Sequence, residues 1–98
     1  MRPPKQLTAH IRRLSADSDY KLYVRFSMAD VANAGLEHDR RVRVTLDGRT
    51  TVPGVLKLTA DNPWLSPGDD SSNEAISAQL VRAGFKLGED VSALVVEE

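Results

Sequence analysis

Residues 29–48 read ADVANAGLEHDRRVRVTLDG, and this stretch decides the fold. Ser27, just upstream, offers an N-cap hydroxyl, Asp30 puts an acid in the first helical turn, and Met28, Val31 and Ala32 supply one short apolar face. Gly35 suits the left-handed position that ends a helix. Beyond it Val42, Val44 and Leu46 alternate with Arg41, Arg43 and Thr45, the period-two pattern of a half-buried strand. Asp47-Gly48 then predicts a two-residue hairpin turn, because both central positions need positive φ. A helix, a glycine cap, a strand and a reversal therefore follow one another within a short span.

The same reasoning extends in both directions. Upstream, Leu7, Ala9 and Ile11 alternate with Thr8, His10 and Arg12, while Leu14 falls out of phase. Residues 15–19 are turn chemistry, after which Tyr20, Leu22, Val24 and Phe26 alternate with Lys21, Tyr23 and Arg25, so the first two strands make a hairpin. Downstream, a fourth strand starts near Arg49, and Pro53-Gly54 is expected to interrupt it as a bulge or edge before it continues over 55–59. Residues 60–73 read as a long loop. Ser72 or Asn73 caps a second helix over 74–83 with Ile76, Leu80 and Ala83 on one face, and Gly84 ends it. A last strand over 90–96 is apolar on both sides, as in a central strand or an oligomer interface.

A shift of 49 positions lays Ala34-Gly35-Leu36-Glu37 on Ala83-Gly84-Phe85-Lys86, and Val42, Val44 and Leu46 on Val91, Ala93 and Val95. Two unrelated helix ends would also share a glycine cap. The recurring order instead suggests two units, about 20–47 and 55–98, packed with pseudo-twofold symmetry. The expected fold is mainly β with two short helices (α+β): a small pseudo-twofold double-split β-barrel forming one domain over 1–98.

The stretch from Leu80 to Val91 resembles the helix, apolar residue, Gly-Asp/Glu turn and strand of the AbrB-type swapped-hairpin superfamily, SymE-like toxins included. From Tyr20 to the end, the order of elements is similar to the small double-split barrels associated with YdeI-like proteins. Both resemblances imply the same kind of barrel. The AbrB-type one implies duplex DNA bound by a homodimer, in a transcription regulator or an antitoxin; the other implies no particular activity. Gly48-Arg49-Thr50-Thr51-Val52-Pro53 has the look of the strand that opens an AbrB-type unit, although here a long loop separates it from the second helix.

The chain has 98 residues, 41% of them hydrophobic, against about 45–50% in globular chains counted with Gly, so one modest core is available. Cysteine is absent, which excludes a disulfide framework and a thiolate zinc site. With no apolar leader and no long apolar run, a cytoplasmic, non-membrane location is expected. The net charge of -1 conceals an asymmetry: residues 1–50 carry 10 Lys/Arg against 6 Asp/Glu, and residues 51–98 carry 3 against 8. A basic surface for nucleic acid follows from that, unless the halves interleave and cancel.

Arg40, Arg41 and Arg43, with Arg49 across the turn, form the densest basic group, and Arg12, Lys21 and Arg25 extend it if the first hairpin lies alongside. Tyr23 adds a stacking group, but an aromatic content of 5% leaves single-strand binding by stacking little to work with. Alternatively these arginines are a solvated face, with salt bridges to Glu37 or Asp39. Trp64 and Leu65 are either a partner anchor or a plug for the barrel end; as an anchor, with Leu94 and Val96 of the apolar last strand, they would make the chain a protein-interaction or scaffold module, and the last strand would equally serve a homodimer interface. His10 and His38 would need converging carboxylates to hold a metal, so neither a metal nor a cofactor is expected. No phosphate loop, paired-carboxylate motif or nucleophile elbow is present, which points to a binding module rather than an enzyme.

Overall fold

The alternating segments close into a ring. The computed structural model describes residues 3–13, 22–59, 62–68 and 71–98. Among them are six strands: β1 (Lys5–Arg13), β2 (Leu22–Arg25), β3 (Arg40–Leu46), β4 (Thr50–Thr59), β5 (Asn62–Ser66) and β6 (Asp90–Glu97). All pairings are antiparallel, and the strands form a closed barrel in the order β1-β2-β5-β4-β3-β6. Helix α1 (Met28–Ala34) connects β2 to β3, and α2 (Asn73–Arg82) connects β5 to β6. Period-two alternation sends Leu7, Ala9, Ile11, Val24, Val42, Val44, Leu46, Val52, Leu56, Leu65, Ala93 and Val95 into the interior. Closure gives every strand a hydrogen-bonded neighbour on each side over at least part of its length.

The internal repeat is physical. Leu36 donates its amide to the Val31 carbonyl and Phe85 to that of Leu80, while Gly35 donates to Ala32 and Gly84 to Val81. Both glycines are left-handed, with φ of 68° and 88°, and Leu36 and Phe85 behind them are buried. On the β3–β6 ladder Thr45 lies opposite Leu94, its own counterpart under the 49-residue shift, and Val44↔Val95 is matched by Leu46↔Ala93. An approximate twofold axis thus passes between Thr45 and Leu94. It relates α1 to α2 and, through the ring order, β1 to β4 and β2 to β5. It leaves the barrel at the opposite seam, where Arg25 of β2 faces Trp64 of β5.

Local expectations fare differently. Ser27 caps α1 by accepting the Asp30 amide, and Ser72 caps α2 by accepting that of Ala75. Asp47 and Gly48 take φ of 52° and 67°, and the Arg49 amide closes the turn on Leu46. The register, however, pairs Leu46 with Thr50, so Arg49 is an extra residue on the β4 side rather than its first paired one.

Pro53-Gly54 does not break β4, which pairs with β3 continuously from Thr50 to Leu56. β5 ends at Ser66, opposite Val55, so β4 has no β5 neighbour at Pro53 and a residue without an N–H fits there. Gly54 is required by proximity: a Cβ at this position would lie 2.5 Å from the Ser66 carbonyl oxygen and 2.8 Å from Leu65 Cδ1. The expectation of a loop over 60–73 is corrected by β5 itself. This strand is five residues long, contains Pro63 and is followed by Pro67, which hides it in the sequence, yet Pro63 and Leu65 point inward and Trp64 outward. The expected turn over 15–19, with Leu14, Tyr20 and Lys21, lies outside the described residues, as do Asp69 and Asp70.

Candidate nucleic-acid interface

The barrel divides the basic residues between two sides. β2 and β3 are three strands apart whichever way round the ring is followed, the greatest separation six strands allow. Arg25 therefore does not extend the surface of Arg41 and Arg43, and Arg12 of β1 lies by the start of β6, at Asp90, whereas Arg43 pairs near its end, with Val96. Lys21 lies outside the described residues.

On the β3 side, Arg41 and Arg43 point outward from one strand face as their spacing requires. Most of this charge is compensated. The Arg40 guanidinium donates to the Glu37 carboxylate at 2.7 Å, which raises the arginine pKa further above its ordinary value. Arg43 Nε donates to Glu98 at 2.7 Å. Arg49 meets Asp47 at 3.1 Å and lies over the Phe85 ring, 4.9 Å from its centroid, a position opened by its being the extra residue of the turn. Arg41 is exposed and has an interaction of its own.

On the β1–β2–β5 side, the registers line up outward-facing residues in a row. His10 pairs with Arg25 and Arg25 with Trp64, while Arg12 pairs with Tyr23 one step along the strands. The Tyr23 and Trp64 rings meet edge to face with centroids 6.1 Å apart. Both are half-buried, so each keeps part of its π-surface in solvent. Arg25 makes no ion pair among the described residues. Arg12 is held by the Ile11 and Glu89 carbonyls and by Asp90 at 2.9 Å, and Asp90 also meets His10 Nδ1 at 2.8 Å. These contacts, with His10 first and then Arg12, hold the Asp90 carboxyl below the usual carboxylate range. A cleft of about 360 Å³ runs from this row to the start of α1, lined by His10, Arg12, Arg25, Phe26, Ser27 and Met28. A second hollow of about 170 Å³ is lined by Tyr23, Trp64, Thr59 and Asn62.

The remaining candidates fall elsewhere. Leu65 is fully buried in the core, so Trp64 and Leu65 face opposite sides of the barrel wall and cannot act as one surface anchor. Leu94 is 44% exposed and Val96 half-buried, both on the outer face of β6, which is hydrogen-bonded on each side, to β1 and β3. His38 accepts the Leu58 amide at Nδ1 and approaches Asp39 with Nε2 at 3.4 Å. Asp39 in turn takes a hydrogen bond from Lys57, the chief reason its carboxyl is held below the usual range. No cluster of metal-ligating side chains occurs among the described residues, and no helix is long and apolar enough to cross a membrane.

The row His10–Arg25–Trp64 is not legible in the sequence, because Pro63 and Pro67 around Trp64 favour a loop there. The one available signal was the alternation of Pro63, Trp64 and Leu65, which fits a strand with tryptophan facing outward. Comparison with family models, curated proteins and solved structures yields no match.

Proposed function

We propose that this barrel is a non-catalytic binding module for single-stranded nucleic acid, and that the outer face of β1, β2 and β5 is its contact surface. The carrying observation is the placement of Arg25, whose guanidinium meets no carboxylate among the described residues, directly across from Trp64, with Tyr23 against the indole. Bases stack on aromatic faces whatever their identity, and a neighbouring cation takes the backbone phosphate. The duplex reading through Arg40, Arg41, Arg43 and Arg49 has less support, because Arg40, Arg43 and Arg49 each contact a carboxylate of their own chain.

Trp64 is the sole tryptophan, so its fluorescence reports the proposed surface directly. Titration with a short oligothymidylate at low salt is expected to quench it. In a labelled-strand anisotropy assay Trp64→Ala should weaken binding by about 5- to 150-fold, corresponding to about 1–3 kcal/mol per stacked base. Quenching should fall with salt at a slope of about -0.7 per phosphate contacted. A preference for duplex over single strand, lost in the Arg41→Ala/Arg43→Ala variant and not in Trp64→Ala, would move the site to β3. An absence of binding to either form at low salt would refute the nucleic-acid reading.

A second reading concerns self-association, favoured by the exposure of Leu94 beside Val96. The surrounding surface carries both signs, Arg43 and Glu98, so a second copy related by a twofold axis along the β3–β6 seam would set cation over anion. Such a homodimer has a small apolar centre and should be weak. Sedimentation equilibrium is expected to show concentration-dependent association that Leu94→Glu removes; a monomer at all concentrations would dismiss it.

A further inference from the structure

We infer that His38 is a pH-sensitive latch on the β4–β5 hairpin: the neutral imidazole holds the Leu58 main chain, and a proton on its Nδ1 releases it. The latch does not depend on what the barrel binds.

The ring replaces a rung that the main chain does not supply. β3 pairs with β4 from Leu46↔Thr50 to Arg40↔Leu56, and the Asp39 amide adds a bond to the Leu56 carbonyl. Asp39 has a left-handed φ of 64°, and the strand stops there. The next β4 amide on this side, that of Leu58, has no β3 residue opposite it and donates to His38 Nδ1 at 2.9 Å. On its other side the end of β4 is held by β5, through Leu58↔Pro63 and Thr59↔Asn62, and Trp64 lies opposite Lys57 in the same hairpin.

The turn itself does not require a histidine. The 49-residue shift lays His38 on Leu87 and Asp39 on Gly88. Gly88 is left-handed too, with φ of 92°, and its amide donates to the Ile11 carbonyl as that of Asp39 does to Leu56. Leu87 offers no acceptor and is exposed. Aspartate adopts this backbone less readily than glycine, and what it adds is a carboxylate 3.4 Å from His38 Nε2. A proton on Nε2, facing that carboxylate, leaves the Nδ1 lone pair for the Leu58 amide.

The imidazole is half exposed, so solvent protons reach it. Asp39 favours the imidazolium, and Lys57, hydrogen-bonded to the same carboxylate, opposes it. Lys57 is the one charged residue of β4, while Glu37 and Arg40 of the turn pair with each other at 2.7 Å. α1 carries only Asp30, engaged at the Thr8 amide, and β5 carries no charge. A proton on Nδ1 sets two N–H donors against each other, so the ring and the Leu58 amide part. Histidine ordinarily changes charge between about pH 5 and 8, which sets the window.

The test is amide hydrogen exchange of the full chain on either side of the His38 titration, with the imidazole followed by nitrogen NMR. On the alkaline side the ring should carry its proton on Nε2. After correction for the intrinsic pH dependence of exchange, protection of the Leu58 amide should fall by about 2- to 12-fold on the acid side, the worth of one main-chain hydrogen bond. Gly54, opposite Val42 inside the ladder, should not change. His38→Asn, whose Oδ1 sits where Nδ1 does and accepts without titrating, should keep Leu58 protected on both sides, and His38→Leu, which copies Leu87, should leave it unprotected on both. The parent chain decides the question even where a variant fails to fold. A neutral ring protonated on Nδ1, or Leu58 protection indifferent to the His38 titration, overturns the inference.

Discussion

Two single residues show how little latitude the barrel wall allows. At Gly54 the absent side chain is what lets β5 approach β4, since the nearest obstacles to a Cβ are a main-chain carbonyl and the buried Leu65. Backbone cannot yield as a flexible side chain can. Gly54→Ala should therefore destabilise the fold by about 1–3 kcal/mol in urea unfolding, the usual cost of forcing an extra carbon into a packed site. Asp90 makes a different prediction. Its carboxyl is depressed by His10 and Arg12, so the folded chain releases this proton more readily than the unfolded one. The stabilisation is then present above the unfolded carboxylate range and is lost as pH falls through the depressed value. Asp90→Asn should lower the urea midpoint at neutral pH and flatten its acid dependence; a midpoint indistinguishable from the parent chain at pH 7 would remove Asp90 from the account.

At the scale of elements, the helices are legible where local chemistry dictates them and obscure where the partner is distant. Ser27, Asp30 and Gly35 announce α1, and Ser72 and Gly84 bracket α2, because caps are made by residues within a few positions of the helix. Ser77 is an example of the other kind. It sits among the buried residues of α2, and its hydroxyl accepts the Leu22 amide of β2 at 2.8 Å, fastening helix to barrel across 55 residues of sequence. Ser77→Ala would leave that amide unsatisfied and should cost about 1–3 kcal/mol, read as a lower thermal midpoint with the far-ultraviolet spectrum unchanged. β5 is obscure for a related reason. Its prolines and brevity speak for a loop locally, and only pairing with β4 over 55–59 makes it a strand. The basic residues were legible as a set but not as a surface. Their division between β3 and the β1–β2 hairpin depends on β5 and β4 standing between β2 and β3.

For the whole molecule, the repeat has a consequence that neither half shows alone. The pseudo-twofold axis enters at Thr45 and Leu94 and leaves near Arg25 and Trp64, so the two seams are distinct poles of one barrel. One pole carries an exposed leucine among charges of both signs. The other carries an indole, a phenol and a guanidinium without a carboxylate partner among the described residues. Self-association at the first pole would leave the second open, so Leu94→Glu should not change the affinity for single strands; a parallel loss of both would contradict the separation.

The most direct measurement of where the ligand sits is an amide and indole proton–nitrogen NMR titration with a short oligothymidylate. Shifts are expected at His10, Arg12, Tyr23, Arg25 and the Trp64 indole, with Arg41, Arg43 and Leu94 unmoved. Shifts confined to Arg41 and Arg43, with the Trp64 indole stationary, would contradict the account.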